Sequence, residues 1–195
     1  FCQLAKGQEK AGADSVVNRI MQYTFYNYTK SISVTLSEGV LEIAGKAFQN
    51  CTGLTSVAIP SSVNSIGASA FSGCTQLKTV VLSSEKATVD NDAFNNCKQI
   101  SQVTFASVKA LCGMTFMKSN SNPLAAGTDV SLSFEENDDD PQDGVISSDV
   151  TKVKDYAFYG YKGLKTLTIN KGVTSISKEA REKLLNVKPL NLGQA

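Results

Sequence analysis

One period, 23 residues long, runs through this chain of 195 residues. Phe48, Phe71 and Phe94 stand 23 apart, as do Cys51, Cys74 and Cys97, and Leu54, Leu77 and Ile100. Val34, Val57, Val80 and Val103 keep the same step, and so do Leu36, Ile59, Leu82 and Phe105. A fixed period of this size means a solenoid, because one unit is too small to bury its own apolar face and must do so against its neighbours. A solenoid offers a long surface rather than an enclosed cleft, which points towards recognition more than catalysis.

Three local patterns follow one another inside each unit. Val57-Ala58-Ile59 and its equivalents alternate apolar and small residues, as a half-buried strand does. Pro60-Ser61-Ser62 then ends the strand. The apolar residues Ile43, Ala47, Phe48, Cys51 and Leu54 recur at short steps that suit a short helix or 3₁₀ turn lying over the core.

These units resemble the BspA-type leucine-rich repeat family, whose turn reads roughly V-x2-I-x3-AF-x2-C-x2-L-x2-V-x-I-P-x-S-V. The match is close over residues 40–105, returns over 150–169 and ends in a half-unit at 173–176, so the repeats are placed at 31–177. The resemblance implies an α/β leucine-rich-repeat solenoid, a right-handed superhelix of about six 23-residue units with a parallel concave β-sheet. Short helical or irregular segments would line the convex side. It also implies a secreted, cell-surface or periplasmic protein of a bacterium or mucosal protist. Its role would be adhesion to host matrix proteins or other cells.

Departures from the repeat mark insertions. Leu111 and Phe116 keep the Ile-to-Phe spacing, but Thr115 replaces Ala, and Ser119 and Asn122 stand where Cys and Leu are expected. Phe116 to Phe134 spans 18 residues against 11 from Phe48 to Ile59, which predicts about seven extra residues near 117–127. Phe134 to Phe158 spans 24 against 12 from Ile59 to Phe71, which predicts about 12 more near 135–147. Both would be loops.

Each end reads as a cap. Residues 1–30 are expected to hold a helix N-capped by Asp14, with Val16, Val17, Ile20 and Met21 turned inward, then an aromatic lead-in of Tyr23, Phe25, Tyr26 and Tyr28. That aromatic group would seal the first rung or serve self-association. At the other end, 178–195 is expected to be a capping segment, with a polar helix over 178–186 and Arg181 in the slot of the repeat Phe.

Composition excludes several chemistries. The chain has no histidine, which removes Ser–His–Asp and Cys–His catalysis and the commonest transition-metal ligand. No enzyme, cofactor or metal site is expected. The net charge of +1 argues against nucleic acid as a partner and leaves membrane attachment only to an anchor. Cys2 near the start is the candidate for such a lipid anchor, against the plainer reading of a free thiol near a chain end. Residues 135–143 hold six acidic side chains and no basic one, so the rest of the chain is basic, and Pro141 breaks any EF-hand spacing there. The in-register cysteines lie among apolar ladder positions with no C-x2-C pair, and Tyr161 fills the same slot, so they read as core rather than as a disulfide or metal site.

The remaining candidate is the open face of the sheet. Side chains flanking each inward Val point outward. One outward row is Thr35, Ala58, Val81, Thr104, Ser133 and Thr168; the other is Ser33, Ser56, Thr79, Gln102, Ser131 and Thr166. Nine of these twelve are Ser or Thr and none is charged. Small hydroxyls suit any exposed sheet. They also suit a neutral recognition surface for a protein ligand, one that salt would affect little. The candidate ligand-binding residues are thus Ser33, Thr35, Ser56, Thr79, Gln102, Thr104, Ser131, Ser133, Thr166 and Thr168. The alternative is a structural envelope protein whose partner is itself, a homo-oligomer.

Overall fold

The computed structural model describes residues 2–4, 18–135, 143–180 and 190–192. The chain opens with strands β1 (Cys2–Leu4) and β2 (Arg19–Ile20). Long and short strands then alternate: β3 (Ile32–Leu36), β4 (Glu42–Ile43), β5 (Leu54–Ile59), β6 (Ser65–Ile66), β7 (Thr79–Leu82), β8 (Thr88–Val89) and β9 (Gln102–Phe105). Helix α1 (Val108–Gly113) precedes β10 (Thr115–Phe116), and two 3₁₀ turns, Ser119–Ser121 and Pro123–Ala125, follow it. The chain continues through β11 (Ser131–Phe134), β12 (Asp143–Ile146), β13 (Lys152–Val153), β14 (Thr166–Ile169), β15 (Ser175–Ile176) and β16 (Leu190–Leu192).

The long strands form a parallel sheet in the order β1-β3-β5-β7-β9-β11, and the short ones a second parallel sheet in the order β10-β8-β6-β4-β2. Past β11 the pattern resumes as β12-β14-β16 and β13-β15. This is the expected solenoid of about six turns. Its core is one continuous apolar cluster from Ile20 to Ala180, and Phe48, Phe71, Cys74 and Leu77 are wholly buried.

The period sets the packing directly. Phe25, Phe48, Phe71 and Phe94 stack in a column, with ring centroids 4.9, 5.1 and 5.2 Å apart and planes within 8° of parallel. The centroid steps match the spacing of ~4.8 Å between neighbouring strands, so the repeat itself holds the rings in offset contact. Beside the column, the backbone N–H of Phe25, Phe48 and Phe71 donates to the C=O of Ala47, Ala70 and Ala93 at 2.7–2.8 Å. The convex side is therefore tied turn to turn by hydrogen bonds and is not helical there. Tyr23, Lys46, Ser69, Asp92 and Tyr156 have φ of 56–63°, and Asn27, Asn50, Asn96, Gly73 and Gly160 are also left-handed four residues on. Two left-handed residues per turn stop a helix from propagating and aim successive N–H groups along the solenoid axis.

Several expectations from spacing need correction. Residues 14–17 of the expected N-terminal helix lie outside the described residues, but Arg19–Ile20 is a strand and Met21 is 59% exposed. The physical reason is that Ile20, Phe25 and Tyr28 stand 23 residues before Ile43, Phe48 and Cys51, so this segment is itself a repeat turn. Likewise 178–180 is helical, Arg181 lies outside the described residues, and Leu190–Leu192 pairs with Leu167–Ile169 as a further strand.

Phe116 pairs opposite Val89, so it fills the slot of Ile43 and Ile66 rather than that of Phe48. Phe105 to Phe116 spans 11 residues against seven from Leu82 to Val89, so four extra residues enter as α1 before Phe116; only two follow it, since Phe116 to Phe134 spans 18 against 16 from Val89 to Phe105. The acidic insertion is not loop throughout, because Asp143–Ile146 is strand β12, while residues 136–142 lie outside the described residues. Among the described residues no second-sheet strand separates β11 from β12.

The irregular turn needs a substitute for the lost ladder, and Asn122 supplies it. Its side chain is wholly buried, and its Nδ2 donates to the C=O of Tyr156 at 2.8 Å and of Ala157 at 2.9 Å. Its Oδ1 accepts from the Leu124 N–H at 3.0 Å. Ala157 stands in the slot of Ala70, so an amide side chain donates where a backbone N–H does elsewhere.

Candidate binding surface

Strand alternation fixes which side chains line the concave face. Val57, Ile59, Val80, Leu82, Val103 and Phe105 point inward and are buried to 1% or less, so their neighbours point out. The register brings Thr35, Ala58, Val81, Thr104 and Ser133 into one column. Ser33, Ser56, Thr79, Gln102 and Ser131 form the column beside it. Nothing in either column is charged. Thr35, Gln102 and Ser131 are exposed and the others partly exposed.

The hydroxyls do not all project freely. Thr104 Oγ1 and Ser133 Oγ are 2.8 Å apart in a hydrogen bond across strands, and Ser33 Oγ lies 3.2 Å from Thr55 Oγ1, which itself donates to the Ile32 C=O. Such cross-strand pairs stiffen the face at little cost in polarity. Ala58 and Val81 leave an apolar centre between them, so the surface is amphipathic: neutral hydrogen-bonding groups around methyl groups.

Thr166 and Thr168 do not continue these columns. They belong to the second block, where the register sets Asp143 beside Thr166, and Val145 and Asn191 beside Thr168. Val145 is 47% exposed on this block. The gap arises because β12 restarts the sheet with no hydrogen-bonded register to β11. Spacing marks β12 only in part: Ile146 and Val150 stand 23 residues before Ile169 and Val173, but Gly144 replaces the inward Leu167 and an acidic run precedes it.

The cysteines take no part in this face. Cys51, Cys74 and Cys97 are wholly buried, and the thiols of Cys74 and Cys97 donate to the C=O of Phe48 and Phe71, both at 3.1 Å. Burial pushes the Cys51 thiol up to about 11 and that of Cys112 up to about 12. A hydrogen bond with Cys97, then burial, raises Cys74 as well. Protonated, buried thiols act as small core residues, the role their register suggested.

An open groove of about 420 Å³ lies on the second-sheet side, between β10 and the β13–β15 pair. Phe116, Val153 and Ile176 line it with Lys152, Lys154 and Asp155, and Lys154 Nζ donates to Thr115 Oγ1 at 2.9 Å. It marks the break in the short-strand sheet and is remote from the concave columns.

Stacked parallel strands, an unbroken phenylalanine column and turn-by-turn backbone ties define a leucine-rich-repeat solenoid. The family model described as BspA type leucine rich repeat region matches residues 8–122 and 134–194 in six copies, and the chain belongs to that family. The unmatched stretch between them falls on the irregular turn anchored by Asn122.

Among solved structures the chain is similar to a leucine rich cell surface protein from Faecalibacterium prausnitzii A2-165. That similarity is 25% in identity with a TM-score of 0.52, over 93% of this chain and 45% of that one. It is also similar to a leucine rich repeat protein of T. pallidum, at 19% identity and TM-score 0.41 over 84% of this chain and 73% of that one. Similarity to the pneumococcal vaccine antigen PcpA is 17% with a TM-score of 0.45, over 90% and 56%. The chain thus spans less than half the length of the Faecalibacterium protein. No curated protein matches the sequence.

Proposed function

We propose that this chain is a non-enzymatic protein-binding module of a cell surface or periplasm that engages its ligand through the concave sheet. Adhesion to host matrix proteins or to other cells is the role that fits. The observation that carries this reading is the pair of uncharged columns held in register over five strands, around Ala58 and Val81. A parallel sheet is normally covered on both faces, and a partner gains from covering this one. The absence of histidine from the sequence supports a non-enzymatic role. The family and the name of the Faecalibacterium protein support a surface location.

The test is saturable binding of the purified chain to a panel of matrix proteins, fibronectin included, beside a variant with Thr79→Arg and Thr104→Arg. Binding lost in a variant that keeps its circular dichroism spectrum supports the reading. Binding unchanged by the two arginines sinks the concave-face assignment.

A second reading, self-assembly, has one observation in its favour. Met21, Tyr23 and Tyr26 are 59%, 49% and 42% exposed in a single turn, a dense apolar patch for a surface. A mass that rises with concentration, and falls back in Tyr23→Ser/Tyr26→Ser, is the result this reading requires.

A further inference from the structure

The lysines of this protein are not spread evenly over the solenoid. Every turn of the first block enters its long strand through a loop on the same lateral edge, and adjacent loops touch. Lys78 N–H donates to Thr55 C=O at 2.9 Å, and Ser101 N–H donates to Lys78 C=O at 3.0 Å. A Cβ at Gly53 would collide with the C=O of Thr29 and Lys30. Lys162 Nζ donates to Thr128 C=O at 3.2 Å, which carries the edge on to the second block. Along this edge lie Lys30, Lys78, Lys98, Lys162 and Lys165, all exposed, with Asp129 as the one opposing charge among the described residues of these loops.

The opposite edge, where the long strands end, differs. There Glu38, Glu85, Glu135 and Asp149 are interspersed with Lys86, Lys109 and Lys171. Asp149 pairs with Lys109 at 3.1 Å, and Glu38 accepts from the N–H and hydroxyl groups of Ser61 and the N–H of Ser62. Charges on that side are mixed and largely matched within the chain, whereas on the first edge five lysines face a single acidic residue, Asp129, among the described residues.

We infer that this lysine ridge is a docking surface for an acidic, extended protein segment, laid along the solenoid axis next to the column Ser33, Ser56, Thr79, Gln102 and Ser131. The inference rests on the concave-face reading and names the chemistry of its partner. Two observations select a protein carboxylate over other anions. The ridge loops hold no arginine, so the bidentate fork that suits phosphate is missing. The neighbouring column offers hydroxyl and amide groups that can pair with a peptide backbone while the lysines take its carboxylates. Binding would then depend on salt, contrary to the expectation for the neutral columns alone, because exposed charges are screened over ~8–10 Å at physiological strength.

The experiment uses fluorescent poly-glutamate, with heparin as a glycan comparator, against three chains: the natural sequence, Lys30→Glu/Lys78→Glu/Lys98→Glu/Lys165→Glu, and Thr79→Arg/Thr104→Arg. The expected result is saturable binding of poly-glutamate that weakens about tenfold between low and physiological salt and is lost on charge reversal. A variant with the same four lysines changed to glutamine, losing binding with its melting curve unchanged, separates ridge loss from misfolding. Heparin binding without poly-glutamate binding overturns the assignment to protein. A concentration-dependent mass abolished by charge reversal also overturns it, since a second copy's own acidic segment would then be the occupant. Poly-glutamate binding with no matrix-protein binding leaves the ridge standing while refuting the adhesion reading. Matrix-protein binding that survives charge reversal does the opposite.

Discussion

Replacing Asn122 by alanine should detach one half of the solenoid from the other. The side chain is wholly buried and makes three hydrogen bonds, two from Nδ2 to the C=O of Tyr156 and Ala157 and one to Oδ1 from Leu124 N–H. Truncation orphans the Ala157 C=O and the Leu124 N–H, while the Tyr156 C=O keeps the bond it accepts from the Tyr159 N–H. An orphaned buried polar group costs about 1–3 kcal/mol, and a carbonyl falls at the low end, so we expect a loss of about 2–3 kcal/mol. Asn122→Leu, an apolar side chain of similar size, should be no better, because it leaves the same groups unpaired. Hydrogen exchange resolved by residue is the suitable assay, since solenoid turns unfold in neighbouring groups and a single midpoint would average them. Protection should fall first around Tyr156–Gly160 and through β13 and β14, while the Phe48–Phe94 column keeps its protection. A loss below about 1 kcal/mol, or protection lost evenly along the chain, would refute the view that Asn122 stands in for the backbone ladder. Asn122→Asp adds a sign. A buried carboxyl facing two carbonyl oxygens has its folded pKa raised above its unfolded value. The variant is therefore least destabilised below the usual aspartate pKa of ~4, and the deficit grows as pH rises through the raised folded pKa.

Further outcomes follow from the same packing. Phe71→Ala removes a ring stacked on both sides, at 5.1 and 5.2 Å, and should cost about 4–5 kcal/mol by urea unfolding, near the top of the range for buried Phe. Lys46→Gly and Ser69→Gly relieve left-handed backbone at φ of 60° and 56° and should raise the melting temperature, each by the equivalent of up to about 1 kcal/mol, whereas glycine at right-handed surface sites should lower it. The thiols of Cys51 and Cys112, raised to about 11 and 12, should resist alkylation at mildly alkaline pH in the folded chain and react promptly in urea; mass spectrometry counts the adducts. Glu38, held below the usual glutamate range chiefly by its bonds to Ser61 and Ser62, adds stability above its unfolded pKa that fades as pH falls through the folded one. A carboxyl-carbon NMR titration should show its shifted midpoint, returned to normal in Ser61→Ala/Ser62→Ala.

The period alone determined the solenoid, the inward residues of β3, β5, β7, β9 and β14, and the two outward columns as far as Ser133. It could do so because each turn is an independent copy in which a residue's neighbours are the same residue one turn away. The same rule, carried one step back, would have found the first turn through Ile20, Phe25 and Tyr28, where polar neighbours instead suggested a helical cap. Spacing failed where copies differ. It counts extra residues between two landmarks but not the side of a landmark on which they are spent, so it sets Phe116 in the Phe slot although α1 absorbs four residues before it. Strand β12 keeps Ile146 and Val150 in step with Ile169 and Val173, but Gly144 stands in the slot of the inward Leu167, and hydrogen bonds to β14 define its extent. Asn122 stood out in the sequence as a departure, but its partners lie 34 and 35 residues away and only packing brings them within reach. The lysine edge is of the same kind. Lys78 and Lys165 share one slot of the repeat and Lys98 and Lys162 another, but they become one surface only because successive entry loops stack on the same flank of the solenoid.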